Sequence, residues 1–152
     1  MLRLPMSRHT TFGMLLWALL SLGCGSQRQA PESGLYGPEW ELEYLSGPRI
    51  AFDGLFPDKK PVLAFEQATG MVDGNSGCNG YSAPFELRGP SIRFGEPGPS
   101  TLMYCGEGEN FFRSGLQKID GWNIDSEGRL NLLVGEVPMM RFHRLAAPGN
   151  GQ

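Results

Sequence analysis

Cysteine and histidine are scarce in this chain, three and two among 152 residues. No Cys-x-x-Cys pair occurs, which removes the dithiol arrangement of thiol oxidoreductases. Ser76 and Ser100 have no histidine partner in any triad-like pattern, so nucleophilic hydrolysis lacks its base. The glycine-rich run GNSGCNG, residues 74–80, lacks both the lysine and the following helix of a phosphate-binding loop. Asp120, Asp125 and Glu127 lack EF-hand spacing and read as acids around a solvated turn. Clusters of basic residues are missing, which excludes a nucleic-acid footprint. Long apolar runs are missing as well. The most apolar stretch, Phe12 to Leu22, falls well short of the ~20 residues of a spanning helix.

Acidic residues are absent before Glu32, and there the N-terminus becomes informative. Arg3 and Arg8 precede the apolar stretch, which ends in Ser21-Leu22-Gly23-Cys24. This is the layout of a secretory signal, and its end resembles the lipobox of bacterial lipoproteins. Ser21 and Leu22 stand where that pattern usually has an aliphatic and a small residue. The resemblance implies cleavage before Cys24 and acylation of its thiol and freed amine. Gly25, not aspartate, follows the cysteine, which by the enteric sorting rule points to the outer membrane, facing the periplasm. Residues 1–23 are thus read as signal and residues 24–37 (CGSQRQAPESGLYG) as a flexible tether. Residues 38–145 form one domain, and residues 146–152 a disordered tail. Without Arg3 and Arg8, 11 basic residues face 16 acidic ones, a net charge of −5.

The domain reads mostly as strand. EWELEYL alternates, with Trp40, Leu42 and Tyr44 expected on the inner face and Glu39, Glu41 and Glu43 on the outer. PVLAF and GMVDGN suit a hairpin, and PFELRGPSIRF turns at Gly89-Pro90 with Phe85, Leu87, Ile92 and Phe94 inward. WNID, RLNLLV and PMMRFHRL complete about eight short strands in a meander. One segment, EGENFFRSGLQKIDG, has helical spacing. Phe112, Leu116 and Ile119 share a face, with Phe111 beside them, and Gly121 is the expected C-cap. The fold class is therefore mostly β, a curled antiparallel sheet around a single α-helix.

From Trp40 to Phe142 the residues resemble the META domain, the HslJ-type bacterial envelope proteins. The resemblance is carried by W-E-L, P-V-L-A-F, G-N-S-G-C-N-G-Y, S-T-L-M-Y-C, a helix with paired Phe, and L-N-L-L. Its motif positions here are Gly77, Asn79, Tyr81, Ser100, Thr101 and Met103 around Cys78 and Cys105. It implies a lipocalin-like partial barrel behind a lipoprotein signal, with a connection to stress or antibiotic tolerance and envelope upkeep. It implies no catalytic residue and no cofactor. The proline often found after the second cysteine is absent from YCGEGEN.

With Cys24 taken by lipid, Cys78 and Cys105 remain as an even pair in an oxidising compartment. A reactive thiolate needs a base, and the mature chain has only His143, which the alternation of PMMRFHRL turns to solvent. Two cysteines and one histidine also fall short of a zinc site. A structural disulfide needs nothing else, while two buried free thiols acting as small hydrophobes are the alternative. The functional expectation is a non-enzymatic lipoprotein, held to the membrane at Cys24, acting by contact with other envelope proteins. The alternative is a lipocalin-type binder of a small apolar ligand. The two differ in core volume: a helix packed into the sheet by Phe111, Phe112 and Leu116 leaves no room for a ligand.

Overall fold

In a computed structural model, residues 32–100 and 103–146 are described. Eight strands form one antiparallel sheet: β1 (Glu39–Leu45), β2 (Val62–Glu66), β3 (Met71–Asn75), β4 (Gly80–Arg88), β5 (Ser91–Phe94), β6 (Gly121–Ile124), β7 (Leu130–Val134) and β8 (Val137–Arg144). The sheet order is β5-β4-β3-β2-β1-β8-β7-β6, so two meanders are fused where β8 lies against β1. Two helices interrupt the strands, α1 (Phe52–Leu55) and α2 (Gly108–Leu116). The sheet curls until its two edges meet. Ile92 N–H donates to the Asp120 carbonyl at 3.3 Å, and Trp122 N–H donates to the Pro90 carbonyl at 3.0 Å. The curled sheet with its one substantial helix is the architecture expected from the sequence.

Strand alternation sends Trp40, Leu42, Leu63, Phe65, Val72 and Phe142 into a single core. β1 departs from strict alternation. Its pairing with β8 shifts between Leu42 and Tyr44, a β-bulge, and beyond it the faces exchange. Tyr44, expected inward, is exposed, and Leu45 is buried in its place. The outer surface here is charged. Glu43 accepts from Arg141 at 2.7 Å and lies 3.5 Å from Arg129. His143 is half exposed, 3.6 Å from both Glu41 and Glu43, consistent with its outward placement.

The helix is shorter than its sequence pattern. After Leu116 the chain tightens, with Lys118 N–H bonding to the Gly115 carbonyl and Ile119 N–H to the Leu116 carbonyl. Gly121 is therefore no C-cap; it opens β6 opposite Leu133. α2 lies across one end of the curled sheet. Phe112 and Leu116 are fully buried, and the Phe112 ring centroid is 6.2 Å from Tyr81 and 6.4 Å from Phe142. Gly115 faces the side chains of Met140 and Leu45. Phe111, expected to help fill the interior, is instead exposed on the outer face of the helix.

Strand register defines two ends. At one end lie the β3–β4 turn, the β7–β8 turn and the finish of β1, where Leu45 pairs with Met140. We call this end distal. At the other, the tether end, Glu39 starts β1, Arg144 finishes β8, and the β2–β3 and β6–β7 turns occur.

The chain enters at the tether end through a 3₁₀ turn, Glu32–Gly34. Leu35, assigned to the tether from composition, is fully buried, and its carbonyl accepts the Trp40 indole N–H at 3.0 Å. Arg144 donates to the Gly34 carbonyl and places its guanidinium 5.1 Å from the Trp40 ring centroid. The packed region thus starts before residue 38, because one leucine plugs the mouth of the sheet. Leu35→Ala should lower unfolding free energy by about 2–4 kcal/mol in chemical denaturation, the cost of truncating a buried leucine. A residue in a loose tether would show no loss.

Candidate functional site

The two cysteines meet at the distal end. Cys78 sits in the turn between β3 and β4, and Cys105 lies three residues before α2. They form a disulfide with Cα atoms 6.0 Å apart, within the usual range of about 4.4–6.8 Å. Gly77 carries φ of +106°, a left-handed conformation that suits glycine, and a Cβ there would press on the Phe56 ring. Asn75 stabilises the same turn by accepting the Gly77 N–H at 3.0 Å.

Beneath the bridge lies a polar joint. The side-chain oxygen of Asn79 accepts the Met103 N–H at 2.9 Å, and its amide nitrogen donates to the Met103 carbonyl at 2.8 Å. The same nitrogen donates to Glu109 Oε2 at 2.6 Å, and the Ser76 hydroxyl donates to Glu109 Oε1. Ser76 and Asn79 are buried, and the Glu109 side chain is 12% exposed. Arg113, one turn along α2, completes the charge balance at 3.5 Å from Glu109, and donates to the Ser100 hydroxyl at 3.3 Å. Its guanidinium stands 5.8 Å from the Tyr81 ring centroid. Gly108 lets the start of α2 press against α1, since a Cβ there would run into the Leu55 carbonyl oxygen.

The motif residues Gly77, Asn79, Tyr81 and Met103 thus gather around one joint, with Ser100 reaching it through Arg113. Thr101 and Cys24 lie outside the described residues. Glu109 and Ser76 are the participants that sequence reasoning did not assign. Glu109 looks like an ordinary first-turn acid favoured by the helix dipole, and its partners are 30 and 33 positions away. Joining these segments by a part-buried carboxylate, two donors and a bridge is structural chemistry. A shallow groove of about 210 Å³ opens beside it, lined by Leu55, Phe56, Pro57, Met103 and the bridged cysteines together with the polar Asp58, Lys59, Ser76 and Glu109.

A disulfide-braced antiparallel half-barrel lidded by one helix is the class of protein that this geometry defines. The model of the META domain matches residues 33–146, and the chain belongs to that family. Its first matched residue lies in the turn that delivers Leu35 to the core. An NMR structure of a protein from Burkholderia xenovorans has a similar fold. Its TM-score is 0.59 at 21% identity, over 97% of this chain and 100% of that one. No curated protein matches.

Tyr81 and the bridge give separate tests. Burial pushes the Tyr81 phenol up from 10.0 to about 12, against a smaller opposing effect of Arg113. Because the folded value exceeds the unfolded one, this contribution to stability is complete below pH 10 and is lost as pH rises towards 12. Tyr81→Phe should remove that alkaline fall. At neutral pH it should cost within about 1 kcal/mol, since the buried hydroxyl has no hydrogen-bond partner among the described residues. In denaturant melts, Cys78→Ala with Cys105→Ala should cost about 3.5 kcal/mol, the chain-entropy value for a loop of this length. Asn79→Ala should cost about 3 kcal/mol by leaving Glu109 short of a donor. Since both brace one joint, their combination should be non-additive by about 0.5 kcal/mol or more.

Proposed function

We propose that this META-domain protein is a lipoprotein of the cell envelope, of the HslJ-like kind, attached to the membrane through acylated Cys24. It works without catalysis, by contact with other envelope proteins, in envelope maintenance or tolerance of stress and antibiotics. The observation that carries this reading is the filling of the curled sheet. Phe112 and Leu116 from α2, with Leu35 at the far mouth, occupy the space in which a lipocalin-type carrier would hold its ligand. Work done by such a domain falls to its outer surface. The N-terminal basic residues, the short apolar stretch and Gly23-Cys24 support the anchor. Among the described residues no helix is long and apolar enough to cross a membrane.

Cell fractionation with metabolic labelling by a palmitate analogue tests this reading. The chain should carry label and sediment with the outer membrane, and Cys24→Ala should abolish both. Correctly cleaved, soluble protein with a free thiol at Cys24 would reject the anchor. A stoichiometric apolar small molecule found by native mass spectrometry of purified protein would reject action by contact alone.

A further inference from the structure

The Cys78–Cys105 bridge lies on the outside of the joint that it braces. Cys105 is exposed and Cys78 is half-buried, and both line the groove beside Phe56 and Met103. Bridges enclosed in a core resist exchange, whereas exposed ones belong to the labile and regulatory class. The groove, about 210 Å³, admits a thiol to the sulfurs from outside. Its charged residues are Asp58, Lys59 and Glu109, and the last is balanced by Arg113 at 3.5 Å. An arriving thiolate therefore meets no unbalanced negative charge.

The folded joint has fastenings of its own. Asn79 bonds both backbone groups of Met103 and one oxygen of Glu109, Ser76 bonds the other oxygen, and none of these contacts passes through sulfur. Phe112 and Leu116 hold the helix from inside. Between Met103 and the start of α2 at Gly108, only residues 104–107 are left to move when the bridge opens. Gly106 stands among them at φ of +95°, with nothing within 4 Å of the place a Cβ would take, and gives this short strap a pivot. Across the bridge, Cys78 Sγ lies 3.6 Å from the Met103 carbonyl oxygen, so as a thiol it has an acceptor in place.

We propose that the bridge is a thiol-exchange site, which a dithiol reductant opens while the domain stays folded. The attacking thiolate bonds to the exposed Cys105 sulfur as the Cys105–Cys78 bond breaks, and Cys78 leaves with the electron pair. The second thiolate of the reductant then attacks its own sulfur in the mixed disulfide and expels Cys105. The two protons that the reductant lost pass to the two cysteines. The dithiol is oxidised to a disulfide and the bridge is reduced to two thiols, so the exchange balances without another reactant. The bridge is the acceptor in this step and needs no base of its own. What changes is the strap 104–107 and the groove beside it, while the sheet and α2 keep their places. The membrane anchor plays no part in this inference.

The test uses the full chain purified without reductant, with dithiothreitol as the dithiol and alkylation read peptide by peptide, so that Cys24 is counted apart. The native chain should be reduced at a rate within about tenfold of that in concentrated guanidinium. Leu35→Ala, its lower stability verified by denaturation, should change the native rate by less than about twofold, since its site is at the opposite mouth. Reduction that waits for global unfolding would be accelerated at least about tenfold by that variant. That acceleration, or a bridge that resists dithiothreitol until the chain is denatured, would overturn the proposal. Reduced glutathione, trapped by rapid alkylation, should be found on the Cys105 peptide at least about tenfold more than on the Cys78 peptide. The reverse would reject Cys105 as the sulfur attacked. In NMR spectra of the reduced chain, amides 77–80 and 103–108 should shift while those of β1, β7 and β8 keep their positions. Loss of dispersion throughout would show that the fold needs the bridge, and would sink the inference.

Discussion

The amide of Asn79 is the constraint on which the distal half of this domain depends. It is one short side chain in a turn, yet it bonds both backbone groups of Met103 and one carboxylate oxygen of Glu109. A carboxylate as enclosed as that of Glu109 is sustainable only where donors and a counter-charge surround it, which Ser76, Asn79 and Arg113 supply. Meeting those needs fixes the first turn of α2 relative to the β3–β4 turn. The direction of the helix across the barrel follows, and with it the delivery of Phe112 and Leu116 to the interior. The disulfide acts on the same joint from the surface side. Its covalent constraint acts mainly on the unfolded chain, while the polar network specifies the folded geometry.

Close approach makes this arrangement possible. Gly108 admits the Leu55 carbonyl against the start of α2, and Gly115 admits the Met140 side chain one face-repeat later. With glycine at both contacts, the helix sits low enough for its large residues to pass between the strands. A curled sheet of this size otherwise leaves a cavity at its mouth. Here the lid and the filling are one element, and Leu35 closes the other mouth. The interior is therefore filled by side chains from both ends of the barrel.

The strands were legible in the sequence because each buries one face, and a period of two leaves an unambiguous trace in EWELEYL or PMMRFHRL. The bridge was legible because so few cysteines left little else for them to do. What escaped was whatever depends on one residue or on distant partners. The bulge at Glu43 reverses the faces of β1 without changing its composition, which moved Tyr44 outward. Leu35 sits in a stretch whose glycine, serine and proline content resembles a linker, and a single buried leucine does not alter that average. The helix pattern ran past Leu116 because Ile119 is buried too, held there by tight turns that keep the apolar spacing without α-helical bonds. The partnership of Ser76 with Glu109 spans 33 positions and follows no periodicity, so no local pattern could announce it.

Charge is distributed so as to set the walls apart from the distal rim. On the outer face of β1, β7 and β8, Glu43 is shared by Arg141 and Arg129, and Arg129 also pairs with Asp125 and Glu127. Arg141 in addition lies over the Tyr44 ring, 5.4 Å from its centroid. Charges satisfied by neighbours in the same chain must be pulled from those partners before they can serve another molecule, so this wall has little to offer a partner. At the distal rim the balance is reversed. The polar groups of the joint are paired with one another, and Met103, Tyr104 and Phe111 stand exposed beside it, Met103 with its backbone bonded to Asn79. Covering Met103 orders little chain, because both its backbone groups are already bonded to Asn79, whereas covering the wall must desolvate its ion pairs. A network that began as the fastening of one helix thereby also selects which face of the domain can be covered at least cost.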